Sequence, residues 1–405
     1  MKLIFVLVLI FGLGFCTPVF AQSSAYVTRQ GSQLYLYNQP YRFVGVNRYN
    51  LLTTGGNPYR GCGGSWSESD LDPYFSELKQ QGIQAIRFWM FQSFTDSGAY
   101  FNRMDTLINL STKYGVLLMP VFENHWSACT TGGEKTADWY STGYKSTYGY
   151  SKTLKEYISV VVSRYKNSPQ ILAWQIMNEA ESSDGQSLVT FADDIARTIK
   201  MNDPNHLVSF GTLGSNQNGM NMYRQIHSSQ AIDLLEYHDY DYDCCGVLYP
   251  PLLDTRIADA AALNKPIFVG EAGIRTGCTG CISLSERSQI FDNKIRDFFG
   301  KEGSGYLIWS YRDREFNQST DAFGFNQSDP LSSVIKRYSQ QQLTTPSPAA
   351  KPADANNDGY VNGSDYIVWL VHYNVQVTGK QNGDFNGDGR VNGSDYIVWL
   401  TTYGT

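Results

Sequence analysis

Two glutamates each end an apolar run of this 405-residue chain. Glu179 closes residues 171–179 (ILAWQIMNE), and Glu271 closes residues 266–271 (PIFVGE). Such runs are typical of strands buried on both faces, and the strands of a parallel barrel present their C-terminal ends on one rim. Two carboxyl groups on that rim can protonate a leaving oxygen and attack a carbon or activate water, which is the arrangement that hydrolysis of a glycosidic bond requires.

The elements that must position these glutamates are short apolar strands that alternate with amphipathic helices. A helical period is visible at residues 154–165 and 291–299. Eight strands with a helix after each make the count of a (β/α)8 TIM barrel, an α/β fold. We predict strands at residues 42–47, 85–90, 116–123, 171–179, 207–214, 232–240, 266–273 and 305–311.

The ends of the chain differ in composition from the predicted barrel. Residues 1–21 combine Lys2, an apolar run and a small-residue cleavage site, which predicts a secretory signal peptide. The apolar run is too short for a membrane helix, so we expect no membrane span in the mature chain. Residues 341–352 (QLTTPSPAAKPA) have no apolar period and are typical of a linker. We therefore expect a barrel domain at 22–340 and a second domain at 353–405.

The second domain contains an internal repeat. The segment NGSDYIVWL occurs at 362–370 and again at 392–400, each time after an Asp-rich loop. Both loops fit the twelve-residue calcium loop of EF-hands, although Asp replaces the usual Glu at position 12. We expect each loop of this small α-helical, EF-hand-like domain to bind one structural Ca²⁺. The predicted ligands are Asp354, Asn356, Asp358, Tyr360, Asn362 and Asp365 in the first loop, and Asp384, Asn386, Asp388, Arg390, Asn392 and Asp395 in the second.

Six cysteines follow the signal peptide, and an even number in an exported chain indicates disulfides. A zinc site built from the closely spaced pairs is the alternative. The loops after the sixth and seventh strands are neighbours, so we expect one bridge between them and a second between the loops after the first and third. The cysteines are Cys62, Cys129, Cys244, Cys245, Cys278 and Cys281.

The composition excludes some classes of function. The net charge of -6 gives no indication of nucleic-acid binding. The barrel segment shows no His/Asp set at metal-ligand spacing, so we expect catalysis without a cofactor. The 28 tyrosines and 8 tryptophans suit a cleft that stacks on sugar rings.

Most of residues 25–335 resembles glycoside hydrolase family 5, the family of cellulases and mannanases. The resemblance depends on five features at strand ends: Arg87, Asn178-Glu179, His238-x-Tyr240, Glu271 and Trp309. It implies a retaining mechanism in which Glu179 is the general acid/base and Glu271 is the nucleophile. We expect partial burial or the second carboxylate to raise the pKa of Glu179, and Arg87 and Tyr240 to keep Glu271 ionised.

Further residues are expected to contact the substrate or support the glutamates. Asn178 can bond a sugar 2-hydroxyl, Trp309 can form the floor under the sugar, and His238 is expected beside the nucleophile. A core tryptophan and a core histidine are the alternatives for the last two. His125 or Trp126 is expected to touch Glu179 or the sugar, and Asn47 is similar to cleft residues of mannanases.

Residues 354–403 resemble a type I dockerin, a calcium-binding module that docks on cohesin domains of a scaffold protein. Family members commonly meet the cohesin at loop positions 10 and 11, here Gly363-Ser364 and Gly393-Ser394. Their identity in both repeats would permit binding in two orientations. A calcium-stiffened module without a cohesin partner is the alternative. We expect Trp369 and Trp399 to pack inside the module.

Together these features predict a secreted, retaining endo-β-1,4-glycanase of plant polysaccharide, extracellular or attached to the cell surface through a scaffold. Mannan is favoured over β-glucan because of the first and second strand sequences, FVGVNRYN and IRFWMFQ. Two alternatives stay open. One is a non-catalytic carbohydrate-binding barrel, and the other is an exo-acting glycosidase with one end of its cleft closed by a loop such as 51–65.

Overall fold

The computed structural model describes most of the chain. The residues that it describes form a barrel domain followed by a small helical module, which we describe separately. The described residues are 25–53, 67–95, 101–214, 222–242, 251–277, 279–312, 323–344, 352–356 and 361–404.

A three-stranded antiparallel sheet precedes the barrel. It consists of β1 (Thr28–Gln30), β2 (Gln33–Leu36) and β3 (Gln39–Tyr41). Val27 and Leu34 pack against residues at the N-terminal ends of the barrel strands, so the sheet covers the end of the barrel opposite the predicted site. These strands were not predicted, because they are short and mostly part-exposed and so carry little apolar signal.

Eight parallel strands form the barrel, which confirms the predicted fold. The ring runs β8-β7-β6-β5-β4-β11-β10-β9, and a bridge between Ser209 and Leu234 closes it. Almost every strand residue is buried, as expected when helices cover a parallel sheet. The strands are β4 (Phe43–Asn47), β5 (Ala85–Trp89), β6 (Leu117–Asn124), β7 (Ala173–Asn178), β8 (Leu207–Ser209), β9 (Leu235–Asp239), β10 (Ile267–Ala272) and β11 (Gly305–Ile308).

Helices surround the strands, and the two helical periods seen in the sequence correspond to α5 and α9. Both begin at a capping box, in which a Ser or Thr and a Glu satisfy the first free amides. No helix in the described ranges is long and apolar enough to cross a membrane. The helices are α1 (Glu68–Gln80), α2 (Gln92–Thr95), α3 (Phe101–Tyr114), α4 (Ala137–Ser141), α5 (Leu154–Tyr165), α6 (Gly185–Asn202), α7 (Tyr223–His227), α8 (Leu253–Leu263), α9 (Leu284–Gly300) and α10 (Pro330–Thr344).

Two predictions about connecting segments are tested only in part. Helix α10 ends at Thr344, so it extends into the segment that the composition assigned to the linker. Cys129 and Cys281 are each part of a disulfide. Cys62, Cys244, Cys245 and Cys278 lie outside the described residues, so the pairing stays a prediction.

The C-terminal module consists of α11 (Gly363–Val371), α12 (Gly393–Thr402) and a short 3-10 turn at Lys380–Asn382. The Trp369 indole donates to the Asn392 carbonyl at 2.9 Å, and the Trp399 indole donates to the Asn362 carbonyl at 2.9 Å. Each repeat thus binds the loop of the other. Both tryptophans pack in the module as predicted.

The end of β7 has a backbone constraint that positions Glu179. The chain turns at Glu179 with φ +53°, and the next amide, of Ala180, donates to the Gly211 carbonyl at 3.0 Å. Gly211 itself has φ +89°, and a Cβ there would lie 1.7 Å from the Met177 carbonyl oxygen. Only glycine fits this close approach of two backbones.

We predict that Gly211→Ala destabilises the barrel by about 2 kcal/mol or more, because the new methyl group meets backbone that cannot move aside. Urea unfolding of the full chain measures the change. Gly133→Ala is the matched control, since a Cβ at Gly133 meets nothing within 4 Å. Equal unfolding midpoints for the two variants would contradict the argument.

Candidate active site

Arg87 lies at the centre of the barrel's C-terminal end, where β5 places it fully buried. Its guanidinium donates to four side chains, contributed by β4, β7 and the segment around Glu271 on β10. Nε binds Gln175 Oε1 at 2.6 Å, Nη1 binds Asn47 Oδ1 at 3.0 Å and Glu271 Oε1 at 2.7 Å, and Nη2 binds Asn178 Oδ1 at 2.7 Å. One cation therefore fixes three other strands around the site.

Glu271 receives both a charged and a neutral donor. Besides the Arg87 contact, the Tyr240 hydroxyl donates to Glu271 Oε2 at 2.9 Å. The ladder between β9 and β10 shifts register between Val269 and Glu271, as at a β-bulge. Such an irregularity re-aims a side chain, and it places the Glu271 carboxylate on the cleft rim. The contacts predicted for Arg87 and Tyr240 are both present.

Glu179 receives donors from two other residues. His238 Nδ1 lies 2.7 Å from Glu179 Oε1, and the Trp126 indole Nε1 donates to Glu179 Oε2 at 2.5 Å. His238 lies beside Glu271 as expected, with its Nδ1 3.7 Å from Glu271 Oε2, but its shorter contact is the one with Glu179. Of the pair His125 and Trp126, only Trp126 reaches Glu179. His125 Nδ1 instead makes a 3.1 Å hydrogen bond with the Tyr140 hydroxyl.

The two glutamates are close enough for a retaining mechanism. One atom each of Glu179, His238 and Glu271 lies within 4.8 Å of the others. Retaining glycosidases hold their carboxyl groups about 5 Å apart, whereas inverting ones leave about 6.5–9.5 Å for a water molecule. These three atoms are also within reach of one metal ion. However, N–H and O–H donors already point at both carboxylates, and these donors would repel a cation.

We expected a raised pKa for Glu179 and an ionised Glu271, but the pKa shifts of the two carboxyl groups have the opposite directions. Burial raises the pKa of Glu179, but the hydrogen bond and charge of His238, with Trp126, bring it below its ordinary value. Burial raises the pKa of Glu271, and the adjacent Glu179 charge adds to this against the donors that surround it. The reversal follows from the positive charge that His238 brings to Glu179.

His238 carries the proton whose positive charge lowers the pKa of Glu179. Burial alone would lower the pKa of His238, but the carboxylates of Glu271, Glu179 and Glu236 raise it to about 10. The imidazole is therefore doubly protonated at neutral pH. Its Nδ1 proton lies on the 2.7 Å contact with Glu179 Oε1, so transfer along that one hydrogen bond converts Glu179 into a neutral acid.

Trp309 is the partly exposed member of an aromatic cluster beside Glu271. It follows β11, is only partly buried, and its amide donates to the Ala272 carbonyl at 2.8 Å. Its ring stacks on Tyr49 with centroids 5.8 Å apart, and Trp89 lies 6.2 Å away. This placement suits the predicted sugar floor, because an apolar ring beside the carboxylate pair can stack on a sugar.

Asn47 and Asn178 are more deeply placed than predicted. Both are almost fully buried, and both accept hydrogen bonds from Arg87. Asn47 also donates to the Gly270 carbonyl at 3.0 Å, and Asn178 donates to Asn124 at 3.0 Å. Asn47 therefore holds Arg87 in place, and the Asn178 amide is already oriented for any contact with the substrate.

Sequence reasoning missed Gln175 and Glu236. Glu236 is fully buried and bonds His238, while Gln175 connects Glu236 to Arg87. The available signal was a polar residue inside an apolar strand, as in ILAWQIMN and IDLLEYHDY. Such a residue is costly to bury unless it is hydrogen-bonded, and hence it marks a network.

The second calcium loop fits a cation. Asp384 Oδ1 is buried and makes no hydrogen bond within the described residues, whereas its Oδ2 accepts the Gly389 amide at 3.1 Å. Gly389, at loop position 6, has φ +84°, as the sharp turn requires. Asp395 accepts the amides of Phe385 and Asn392, at 2.8 Å each. A buried carboxylate oxygen without a donor is suited to a metal ion.

The first calcium loop repeats the described part of this geometry. Asp365 accepts the Ala355 amide at 2.7 Å and the Asn362 amide at 2.8 Å. Asp358 and Tyr360 lie outside the described residues, so their role as ligands stays a prediction. Two loops with matching position-12 contacts support the reading of the repeat as a duplicated calcium module.

An eight-stranded barrel whose C-terminal rim holds two glutamates with carboxylate oxygens within 4.8 Å of each other has the geometry of a retaining glycoside hydrolase. Residues 51–315 match the model of the cellulase family, glycosyl hydrolase family 5, and the chain belongs to that family. Residues 352–398 match the dockerin type I domain. Both resemblances inferred from the sequence are confirmed.

The chain is similar to proteins named as mannanases. It is 28% identical over 336 residues to the probable mannan endo-1,4-beta-mannosidase F of Neosartorya fischeri, covering 69% of each chain. It is 26% identical over 341 residues to mannan endo-1,4-beta-mannosidase F of Aspergillus fumigatus, covering 71% of this chain and 72% of that one. A mutant family 5 mannosidase from Rhizomucor miehei, solved with mannosyl-fructose, has the same fold, with TM-score 0.63 and 19% identity over 79% of this chain and 98% of that one.

We predict that Trp126→Phe moves the alkaline limb of the kcat/KM–pH profile up by about one unit. The variant removes a donor to ionised Glu179, a bond that contributes about 1.5 kcal/mol, and one pKa unit corresponds to about 1.4 kcal/mol. The pKa of Glu179 therefore rises, and its acid form persists to higher pH. The profile is measured on a soluble polysaccharide substrate.

The matched control is Trp139→Phe. The Trp139 indole N–H is buried and makes no hydrogen bond within the described residues. Its removal leaves the Glu179 contacts intact, so the alkaline limb stays in place. A limb that moves equally in both variants, or in neither, contradicts the role assigned to Trp126.

Proposed function

We propose that this protein is a secreted endo-β-1,4-mannanase that acts by double displacement, with Glu271 as nucleophile and Glu179 as acid/base. The observation that carries the assignment is the different donor set of each carboxylate. Glu271 is paired with a guanidinium, which stays charged at all working pH values. Glu179 is paired with an imidazole, which can exchange a proton with it.

In the first step, a Glu271 oxygen attacks the anomeric carbon and the bond to the leaving oxygen breaks. Glu179 gives its proton to that oxygen. In the second step, Glu179 takes a proton from water, which attacks the anomeric carbon and releases Glu271. Arg87 and Tyr240 stabilise the Glu271 carboxylate before and after the covalent intermediate. Protons and charge balance over the cycle.

Mannan as the substrate is supported by the relatives and by the cleft sequence. The relatives compared above are named as mannosidases, and FVGVNRYN and IRFWMFQ pointed to the same branch. The partly exposed ring of Trp309, supported from below by the buried rings of Tyr49 and Trp89, offers a stacking platform for a sugar. The complete carboxylate pair with its donors disfavours a non-catalytic carbohydrate-binding barrel. Residues 54–66, relevant to exo action, lie outside the described residues.

We predict that Glu179→Ala lowers kcat/KM on mannan by about 10²–10⁴-fold, and that Glu271→Ala lowers it at least as much. Sodium azide distinguishes the roles, because the small anion can enter the cavity left by either side chain. With Glu179→Ala it attacks the covalent intermediate and gives a product of retained configuration. With Glu271→Ala it replaces the nucleophile and gives the inverted product. Proton NMR of the anomeric signal measures both outcomes.

Glu302→Ala is the control, since this glutamate is exposed and pairs only with Arg42 among the described residues. Its activity should equal that of the wild type. An inverted first product from the wild type would refute double displacement. Reducing sugar released from carboxymethyl-cellulose or xylan, but none from mannan, would refute the proposed substrate and leave the mechanism standing.

The C-terminal module is proposed to bind two Ca²⁺ ions and to dock on a cohesin of a scaffold protein outside the cell. The uncompensated Asp384 oxygen and the matching position-12 contacts support calcium. Equivalent apolar residues are exposed on the two helices, which supports docking in either orientation. They are Ile367 and Leu370 on α11 and Ile397 and Leu400 on α12, each about half exposed.

We predict two calcium-binding events in calorimetry of the full chain and one in Asp384→Ala, because that variant removes a ligand from the second loop only. Chelation with EDTA should unfold the module and abolish binding to a purified type I cohesin, while activity on soluble mannan is unchanged. Ser394→Ala, whose side chain is no predicted ligand, keeps both events. Two events in Asp384→Ala would contradict the second site.

A further inference from the structure

Glu236 is a third carboxylate beside the catalytic pair. It lies on β9, two residues before His238, and is fully buried. Its Oε1 contacts His238 Nε2 at 3.2 Å. Its Oε2 accepts the Ser209 hydroxyl at 2.9 Å and also the Gln175 amide. Donors on both oxygens compensate the cost of burying this carboxylate, so its position is supported by specific hydrogen bonds.

The neighbouring strand is shaped around this carboxylate. A Cβ at Gly270 on β10 would lie 1.9 Å from Glu236 Oε1, so no other residue fits there without displacing the carboxylate. Gly270 is also the residue at which the β9–β10 register shifts, directly before Glu271. The same glycine therefore accommodates Glu236 and allows the irregularity that aims the nucleophile.

We propose that Glu236 is a positioning residue for acid/base catalysis, which holds the Nε2 proton of His238 so that Nδ1 is the nitrogen that exchanges a proton with Glu179. This inference rests on the proposed role of Glu179. Two forms then share one proton: an imidazolium beside the Glu179 carboxylate, and a neutral imidazole beside the Glu179 acid. In both forms Nε2–H stays with Glu236.

The position of the Nε2 proton determines whether His238 Nδ1 stabilises or opposes the acid form of Glu179. In the neutral form, Nδ1 has a lone pair and can accept from Glu179 Oε1, so the acid form is stabilised. Without the Glu236 charge, the neutral imidazole can instead place its only proton on Nδ1. That proton would point at Glu179 Oε1 and oppose the acid form. The leaving oxygen takes the Glu179 proton in the first step, and water returns it in the second.

Several charged groups surround this exchange. Glu179 faces His238 across the cleft, Glu271 faces it from β10, and Tyr240 follows it along the chain. Arg87 pairs with Glu271 and is connected to Glu236 through Gln175. The same carboxylate thus orients the Gln175 amide, whose oxygen accepts from Arg87 Nε at 2.6 Å.

The test is Glu236→Gln, which preserves volume. The new amide oxygen can still accept from Ser209 and Gln175, so the connection to Arg87 is kept. Its NH₂ group faces His238 Nε2, which can then no longer donate. We expect kcat/KM on mannan to fall about 10²-fold, within the range of lost acid/base assistance. The alkaline limb should move to lower pH by about one unit, because a negative charge beside the imidazolium is gone.

Leaving-group dependence separates this role from a structural one. Protonation hardly matters for a 2,4-dinitrophenyl β-mannooligosaccharide, since its leaving group departs as a stable anion. Pre-steady-state release of dinitrophenol should therefore stay within a few-fold of wild type in Glu236→Gln. An equal loss on both substrates, or an alkaline limb that does not move, overturns the proposal.

Two comparison variants complete the design. Asp203→Asn alters another buried His–carboxylate pair, His206 Nδ1 with Asp203 Oδ2 at 2.6 Å, which has no described contact with the cleft. Asp203→Asn should not change the ratio of the activity on mannan to the rate of dinitrophenol release. Glu179→Gln should change this ratio strongly. If Glu179→Gln leaves the ratio unchanged, the proposed function fails. If Glu179→Gln changes the ratio and Glu236→Gln does not, only the inference about Glu236 fails.

A measurement on the wild type tests which nitrogen of His238 keeps its proton, even if Glu236→Gln does not fold. The chain has five histidines, so ¹⁵N-histidine labelling gives a spectrum that can be assigned, with the His238 signals identified by their loss in His238→Gln. We expect His238 Nε2 to stay protonated through the alkaline limb while Nδ1 titrates. A neutral form with the proton on Nδ1 overturns the proposal.

Discussion

The guanidinium of Arg87 is the interaction on which the rest of the site depends. It is fully buried and permanently charged, so its burial is tolerable only because acceptors surround it. Those acceptors, Asn47, Gln175, Asn178 and Glu271, come from three other strands. The register of the strands and the position of Glu271 are therefore set by the same group, and neither can change without leaving a buried charge unmatched.

Charge balance around Arg87 explains why a proton must be stored at the site. The site holds three carboxyl groups, those of Glu179, Glu271 and Glu236, but only one guanidinium, that of Arg87. Two carboxylates about 5 Å apart repel by about 3 kcal/mol at an effective dielectric constant of about 20. A further proton relieves this repulsion, and His238 contacts two of the three carboxylates and lies near the third. The stored proton is thus a consequence of packing three acids around one cation.

The sequence predicted the eight strands and most of the residues at their ends, because long apolar runs ending in polar residues are a strong signal. Glu236 and Gln175 were marked only by their polarity inside apolar runs, since strands buried on both faces do not alternate and hence do not reveal which side chains point inward. The sequence placed His238 beside Glu271, where it lies, but did not predict that His238 hydrogen-bonds Glu179 instead. That choice depends on about 1 Å, and the irregularity at Gly270, which places Glu271, has no signature in the sequence beyond a glycine.

In the C-terminal module, the exchange of tryptophan bonds couples the two calcium loops. The carbonyl at position 9 of the first loop is held by Trp399 of α12, and the equivalent carbonyl of the second loop is held by Trp369 of α11. A loop that loses its shape therefore loosens the helix of the other repeat as well as its own. Since each helix presents the exposed apolar residues proposed to meet a cohesin, docking through either repeat requires both loops to be formed.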